Sequence, residues 1–264
     1  MQEIDIRYSI IVGIAVMLLL IVSFLLVFII NQRKKMEYQR QIQQMNEQQQ
    51  NQLIEAAVRS EELERHRIAE TLHDEVGAIL SSSKLHFTGI RPEQLNEKER
   101  AVYEKGKLLL DDAIQQVRGI SHNLHSNILK EFGLNEAIRH FLDKVGKDEL
   151  LKTTTNLDPG YTTQNTEKDI SIYRMVQELV NNILKHAGSR ELLLSSTLQD
   201  NQLSINIFHD GRGLTQDMFE KFRFNKEGLG LKNIQNRIIL LKGNIHFMAE
   251  PDGNKVSITI PVNP

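Results

Sequence analysis

The sequence predicts an α+β protein with an N-terminal transmembrane helix, a helical hairpin and a C-terminal α/β sandwich domain. Residues 9–30 form an uninterrupted uncharged and mostly apolar run, long enough to cross a membrane. Between residues 63 and 129, apolar residues recur at three- and four-residue steps, which indicates two helices. In residues 131–264, helix-spaced and alternating apolar segments follow one another, a pattern typical of a layered α/β domain.

Composition excludes several classes of function. The formal net charge of -2 gives no global attraction to nucleic acid, so direct nucleic-acid binding is not expected. Because the chain has no cysteine, a disulfide framework, a thiolate zinc site and a cysteine nucleophile are all excluded. Its nine histidines are scattered and show no pair at metal-ligand spacing on an obvious helix face.

The apolar run at residues 9–30 is predicted to be a single-pass membrane anchor that leaves residues 1–8 as a short extracytoplasmic end. A cleaved signal peptide is the alternative, but acidic Glu3 and Asp5 precede the run and no small-residue cleavage site follows it. Basic residues 33–35 come directly after the run. By the positive-inside rule, they predict that the C-terminal part is cytoplasmic.

Residues 31–62 form a polar connection to the rest of the chain. This segment is rich in Gln, Glu and Arg, contains neither Pro nor Gly, and carries apolar residues at helical spacing. A signalling helix or weak coiled coil fits this pattern. The glutamine-rich stretch around residues 48–52 leaves a flexible linker as the alternative.

Residues 63–130 are predicted to form a helical hairpin. One amphipathic helix spans residues 63–87, a break falls at residues 89–92, and a second helix spans residues 93–129. A hairpin of this size has too small a core to stand alone. We therefore expect a homodimer in which two hairpins form a four-helix bundle.

His73 and Asp74 lie within the first helix of this hairpin. A neutral imidazole is a good phosphoryl acceptor near neutral pH. The neighbouring carboxylate can orient the ring and take its proton. A structural histidine in a helix is the alternative interpretation.

A predicted helix at residues 170–187 carries several polar groups on one face. Glu178 and Asn182 are four residues apart, and Lys185 and His186 continue the series. An amide oxygen from Asn182 is a plausible Mg²⁺ ligand, and the two basic groups suit phosphate charge. A solvated polar face is the alternative.

Two predicted strands, residues 191–198 and 202–209, run into a glycine-containing turn. Asp210, Gly211 and Gly213 follow the second strand directly. Glycines let the backbone approach a ligand closely, and a carboxylate at this place can accept a hydrogen bond from the exocyclic amine of adenine. A tight turn without a ligand is the alternative.

A second glycine-containing segment comprises Gly228, Leu229, Gly230 and Leu231 and opens a predicted helix at residues 232–241. Its backbone N–H groups and the helix dipole suit a phosphate. It is neither a P-loop nor a dinucleotide fingerprint.

Two further features complete the C-terminal domain. The basic residues Lys221, Arg223 and Lys226 precede the second glycine segment and predict a lid that closes over the nucleotide. Residues 244–249 and 255–261 are predicted to form a closing hairpin.

In this order the motifs resemble those of the sensor histidine kinases of two-component systems, in particular the nitrate-sensor-type class. Residues 67–74 match the acceptor pattern Arg-Ile-Ala-x-x-Leu-His-Asp of that class. Residues 178–187 are similar to the N box of the family, residues 210–213 to its first glycine box and residues 228–231 to its second. The resemblance covers residues 63–261.

The resemblance implies a dimeric phosphotransfer domain at residues 63–130 and an ATPase domain of the GHKL (Bergerat) type at residues 131–264. ATP and Mg²⁺ are the implied cofactors. In this comparison Asn182 binds Mg²⁺, Glu178 lies near the metal and Asp210 contacts adenine, while the second glycine box supports the phosphates. His73 is the phospho-acceptor and Asp74 assists it.

The resemblance also implies a bacterial kinase of the cytoplasmic (inner) membrane, with its catalytic part in the cytoplasm. It would phosphorylate its own histidine and pass the phosphoryl group to an aspartate in the receiver domain of a response regulator, typically one with a helix-turn-helix output domain. Many members carry Gln or His where Ala78 stands. Because a methyl group cannot orient water, weak or absent phosphatase activity is expected.

Two other functions stay open at this point. The first is a clamp ATPase, in which hydrolysis drives a conformational change and no histidine is modified. The second is a non-enzymatic membrane scaffold that dimerises and binds a regulator.

Overall fold

The protein is described by a computed structural model that covers residues 2–124, 127–147, 151–162, 165–222 and 229–262. The chain divides into two compact units, Met1–Leu53 and Ile54–Pro264. The described part of the first unit lies within helix α1 (Gln2–Thr71). This helix contains an 18-residue window with a mean hydropathy of 3.2, none of it buried. By length and composition, α1 can therefore cross a membrane.

The second unit begins with the end of α1 and a helical hairpin. A π-helical turn at Leu72–Val76 joins α1 to α2 (Gly77–Thr88), and a short 3₁₀ turn at Pro92–Gln94 precedes α3 (Glu97–Leu124). The hairpin closes through a hydrogen bond from buried Ser121 Oγ to the Ala69 carbonyl, 3.0 Å long.

Helix α3 begins and ends inside the predicted range of residues 93–129. It begins late because Asn96 caps it: Asn96 Oδ1 accepts from the Glu99 N–H at 2.9 Å, and Glu99 Oε2 accepts from the Asn96 N–H at 3.0 Å. This reciprocal pair is a capping box. Leu129 belongs to the next helix and is 1% exposed.

The remaining elements form the α/β domain. Helix α4 (Asn127–Val145) is interrupted at Gly133, whose φ of 83° is non-helical. The elements that follow are β1 (Lys152–Asn156), α5 (Thr166–His186), β2 (Glu191–Gln199), β3 (Gln202–His209), α6 (Gln216–Phe222), α7 (Leu229–Leu240), β4 (Asn244–Glu250) and β5 (Gly253–Pro261).

The five strands form one mixed sheet in the order β1-β2-β3-β5-β4. The β1–β2 pair is parallel and the other three pairs are antiparallel. Alternate residues of β3 (Leu203, Ile205 and Ile207) are buried, and so is the apolar face of α5. Together with α4 and α7 they form the core, so the predicted α+β fold is confirmed.

Three elements of the domain were not predicted. These are β1, whose sequence Lys-Thr-Thr-Thr-Asn shows no apolar alternation, and helices α4 and α6. Strand β1 is held by parallel pairing with β2 from Lys152 to Asn156, a long-range contact that no local pattern encodes.

Candidate functional site

His73 lies in the π-helical turn that joins α1 and α2. The turn is closed by a hydrogen bond from the Gly77 N–H to the carbonyl of Leu72, five residues earlier, whereas an α-helix bonds to the carbonyl four residues earlier. Turns of this kind occur frequently at functional sites. His73 Nδ1 lies 2.9 Å from Asp74 Oδ1, and both side chains are about three-quarters exposed (74% and 76%). An ionised carboxylate can only accept, so Nδ1 carries the proton and Nε2 keeps its lone pair.

A cleft of about 600 Å³ opens in the α/β domain between α5, the end of β3 and α7. Polar side chains of the cleft are Glu178, Asn182, His186, His209 and Arg212. Its apolar lining is Leu179, Ile183, Ala187, Leu214, Met218, Leu231, Phe247 and Val256. The cleft thus combines an apolar lining with polar and charged side chains, as small-molecule sites do.

Three of the polar groups come from one face of α5. Glu178, Asn182 and His186 are spaced four residues apart and all line the cleft. Helix α5 is fixed at its start by Asn165, whose Oδ1 accepts from the N–H groups of Glu167 and Lys168. Lys185 is exposed and is not among the residues that line the cleft.

The first glycine segment is held close to its neighbours. The Arg212 N–H donates to the Ala187 carbonyl at 2.9 Å, and Asn254 Nδ2 donates to the Gly211 carbonyl at 2.8 Å. A Cβ at Gly213 would lie 2.0 Å from Asn254 Oδ1, so only glycine fits there. Gly213 lines the cleft, and Gly211 is not among the lining residues.

Asp210 does not line the cleft. Its Oδ1 accepts from the N–H groups of Glu191 and Arg190, at 3.0 and 2.8 Å, and the hydrogen bond from Glu191 is the main cause that lowers its pKa. The carboxylate therefore fixes the start of β2. Asp210 comes directly after the last residue of β3 and is exposed, and its contact with adenine stays a prediction.

The second glycine segment meets α5 at Glu178. Gly230 and Leu231 line the cleft in the first turn of α7. A Cβ at Gly230 would lie 2.0 Å from Glu178 Oε1, so the missing side chain makes room for this carboxylate. Leu229 is described as the first residue of α7, while Gly228 and the lid residues Arg223 and Lys226 lie outside the described residues.

The donor set suits Mg²⁺ bound together with phosphates. Glu178 and Asn182 supply a carboxylate and an amide oxygen on one helix face, and the carboxylate lies against the backbone of Gly230. Such hard oxygen ligands are those that Mg²⁺ uses alongside the phosphate oxygens of a nucleotide. Within the described residues, no group of three or more Asp, Glu or His side chains could hold a metal ion by itself.

Several cleft residues were missed from the sequence. His209 continues the inward alternation of Leu203, Ile205 and Ile207 on β3, a signal that the sequence contains. Arg212 lies between two predicted glycines. Met218 and Phe247 reach the cleft only through tertiary packing, for which no local pattern exists.

Comparison with known families identifies both parts of the second unit. A family described as "Histidine kinase-, DNA gyrase B-, and HSP90-like ATPase" matches residues 167–264, and a histidine kinase family of the nitrate-sensor-type class matches residues 64–129. Together the two matches cover more than half of the chain. The chain therefore belongs to the sensor histidine kinases of two-component systems.

Similar curated proteins carry the same kind of name. The chain is 24% identical to the sensor histidine kinase MctS of Rhizobium johnstonii over 79% of its own length and 45% of that protein. It is 25% identical to the sensor protein VraS of Staphylococcus epidermidis over 76% of its length and 56% of that protein. The chain thus spans about half the length of these relatives.

Solved structures of histidine kinases are similar at lower identity. A histidine kinase domain from the blue-light activated kinase of Erythrobacter litoralis shows 15% identity and a TM-score of 0.45, covering 71% of this chain and 94% of that one. The histidine kinase AdeS of Acinetobacter baumannii shows 18% identity and a TM-score of 0.42, covering 74% and 98%.

Proposed function

We propose that this chain is a membrane-anchored, ATP-dependent kinase that phosphorylates its own His73 and passes the phosphoryl group to an aspartate in the receiver domain of a response regulator. The phosphotransfer domain spans residues 63–130 and the ATP-binding domain residues 131–264. The regulator is expected to carry a helix-turn-helix output domain. The hydrogen bond between His73 Nδ1 and Asp74 carries this proposal, because it leaves Nε2 of an exposed ring as a nucleophile.

The proposed chemistry uses His73, Asp74 and the groups of the cleft. Nε2 of His73 attacks the γ-phosphorus of ATP, the bond from that phosphorus to the bridging oxygen breaks, and ADP leaves. The Asp74 carboxylate accepts the Nδ1 proton and balances the charge that develops on the ring. Mg²⁺, when bound at Asn182, would neutralise phosphate charge. Glu178 and His186 position the nucleotide from the same face of α5.

The regulator then receives the phosphoryl group from His73. An aspartate oxygen attacks the phosphorus and the P–N bond breaks, while Asp74 returns the proton to Nδ1 so that the neutral imidazole is restored. Ala78 lies one helical turn after Asp74 and is exposed. Since its methyl group cannot orient a water molecule, we expect little phosphatase activity toward the regulator.

The test is incubation of the full chain in detergent with γ-labelled ATP and Mg²⁺, with His73→Gln and Asn182→Ala as variants and thermal unfolding as the folding control. Acid-labile, base-stable label on the wild type alone supports the kinase. ATP hydrolysis without labelling would favour a clamp ATPase. A folded protein that binds no ATP would favour a scaffold.

A further inference from the structure

A second cavity, of about 230 Å³, lies between the helical hairpin and the α/β domain. Its walls come from α1 and α3 on one side and from α4, α5 and α7 on the other. Three arginines line it, namely Arg65, Arg174 and Arg237. One water molecule takes about 30 Å³ of liquid volume, so the cavity has room for a ligand larger than water.

The arginines of this cavity outnumber the carboxylates that pair with them. Arg174 binds Glu62 through two hydrogen bonds, 3.0 and 2.7 Å long. Arg65 and Arg237 share the carboxylate of Glu61: Oε1 accepts from Arg65 Nε at 3.0 Å, and Oε2 accepts from Arg237 Nη2 at 2.9 Å. In the described part of this cluster, three guanidinium charges therefore meet two carboxylates, and one positive charge is in excess.

Arg237 is the member of the cluster with an unused donor. Its side chain is 3% exposed, and its Nη1 is buried with no hydrogen-bond partner among the described residues. Burial lowers the pKa of Arg237, and the charges of Glu61 and Glu62 offset this effect only in part. A buried charged donor without an acceptor is costly, so an acceptor that enters the cavity gains a strong contact there.

Glu178 is a further carboxylate on the wall of this cavity, and it also lines the cleft of the α/β domain. Its Oε1 lies against Gly230, in the first turn of α7. Arg237 lies seven residues, or about two turns, further along this helix. The carboxylates that raise the pKa of Arg237 are those of Glu61 and Glu62. Glu178 therefore belongs with the cleft rather than with the arginine cluster.

We propose that this cavity binds a small tetrahedral oxyanion of the phosphate class. Arg237 Nη1 donates to one oxygen of the anion, and the side-chain amides of Asn181 and Asn233, which line the same cavity, can donate to others. Because its walls belong to both parts of the molecule, the bound anion joins the hairpin to the α/β domain and strengthens their attachment. This site is separate from the ATP cleft and goes beyond the proposed function.

The test is calorimetric titration of the full chain in detergent with inorganic phosphate. Arg237→Lys keeps a positive charge opposite Glu61 but removes the second guanidinium nitrogen. Asn233→Asp places a negative charge on the cavity wall and leaves the pair of Arg237 and Glu61 in place. Asn236→Asp is the matched control, because Asn236 lies on the same helix, is half-buried and is not among the residues that line the cavity.

We expect the wild type and Asn236→Asp to bind phosphate saturably, and both site variants to bind it at least about tenfold more weakly. Phosphate should also raise the Tm of the wild type, whereas chloride at the same ionic strength should not. Equal affinity in all four proteins, or no saturable binding by a folded wild type, would overturn the proposal. If Arg237→Lys does not fold, the comparison of Asn233→Asp with Asn236→Asp decides.

The ATP cleft is the other place where phosphate could bind. The titration is therefore repeated with the Mg²⁺ complex of a non-hydrolysable ATP analogue present at saturation. Phosphate bound at Arg237 should keep its affinity, and loss of phosphate binding would assign the anion to the cleft and overturn the proposal. A chain that binds phosphate at Arg237 but binds no nucleotide would contradict the proposed function and leave this inference intact.

Discussion

The guanidinium of Arg174 in α5 binds both carboxylate oxygens of Glu62 in α1. Nε lies 3.0 Å from Oε2 and Nη2 lies 2.7 Å from Oε1. The Arg174 side chain is 3% exposed and also donates to the carbonyls of Asn123 and Leu124 at the end of α3. Arg237 of α7 makes a similar contact with Glu61, 2.9 Å long. These contacts attach the ATP-binding domain to the helical hairpin.

Glu62→Gln should destabilise this attachment. The substitution removes a charge opposite a nearly buried guanidinium, and the loss of one partner of such a pair typically costs about 2–4 kcal/mol. Chemical unfolding of the wild type and the variant measures the difference. Glu64→Gln is the control, because Glu64 pairs with Arg67 on the exposed side of α1 and should show no measurable change. Equal stability of both variants would contradict a role for the Arg174 contact.

The contact between Glu62 and Arg174 should also make the free energy of unfolding depend on pH. Burial raises the pKa of Glu62, but the hydrogen bond and charge of Arg174 outweigh this effect, so the pKa is lowered overall. The pKa of this carboxyl is 4.5 in the unfolded chain and lower in the folded chain. Its ionised form therefore stabilises the folded protein at pH values above 4.5. This stabilisation is lost as the pH falls through the folded-state pKa. The stability difference between wild type and Glu62→Gln should therefore shrink below about pH 4.5. A difference that is constant from pH 7 to pH 3 would contradict this account.

Gly230→Ala should weaken ATP binding. The added Cβ would lie 2.0 Å from Glu178 Oε1, so the carboxylate must leave its position in the cleft. We expect at least about tenfold weaker binding of Mg²⁺-ATP, measured by calorimetry.

Gly119→Ala is the matched control for that substitution. Gly119 lies inside α3, and its added Cβ would have Lys144 Nζ as its nearest neighbour at 4.0 Å. The helix interior favours alanine, so this variant should be slightly more stable and should bind ATP as the wild type does. Unchanged Mg²⁺-ATP binding by Gly230→Ala would show that the position of the Glu178 carboxylate does not require glycine at residue 230.

The hairpin presents an apolar face that a homodimer would cover. Val102 and Leu109 of α3 are 72% and 61% exposed, and Ile79 and Leu85 of α2 are 65% and 72% exposed. The double variant Val102→Glu/Leu109→Glu should be monomeric in light scattering of the detergent-solubilised chain, whereas Gln115→Glu at an exposed polar position should stay dimeric. A double variant that stays dimeric would place the interface elsewhere.

Much of the architecture could be predicted from the sequence because its signals are local. The apolar stripe of α5 and the alternation in β2 and β3 follow directly from side-chain periodicity. The polar face with Glu178 and Asn182 could be predicted for the same reason, since four-residue spacing fixes which side chains share a helix face.

The remaining features depend on contacts between distant parts of the chain. The attachment of Arg174 to Glu62 joins residues 112 positions apart, and β1 exists through its pairing with β2. Met218 and Phe247 reach the cleft only through the packing of α6 and β4 beside it. The π-helical turn at His73 has no sequence signal that we recognise.

The most direct test of the central claim is ³¹P NMR of the full chain after incubation with ATP and Mg²⁺. The hydrogen bond from Nδ1 to Asp74 leaves only Nε2 of His73 free to attack, so we predict one phosphohistidine signal from the Nε2 isomer, lost on acid treatment and absent from His73→Gln. A signal from the Nδ1 isomer, or no phosphohistidine in a folded chain that binds ATP, would contradict the account.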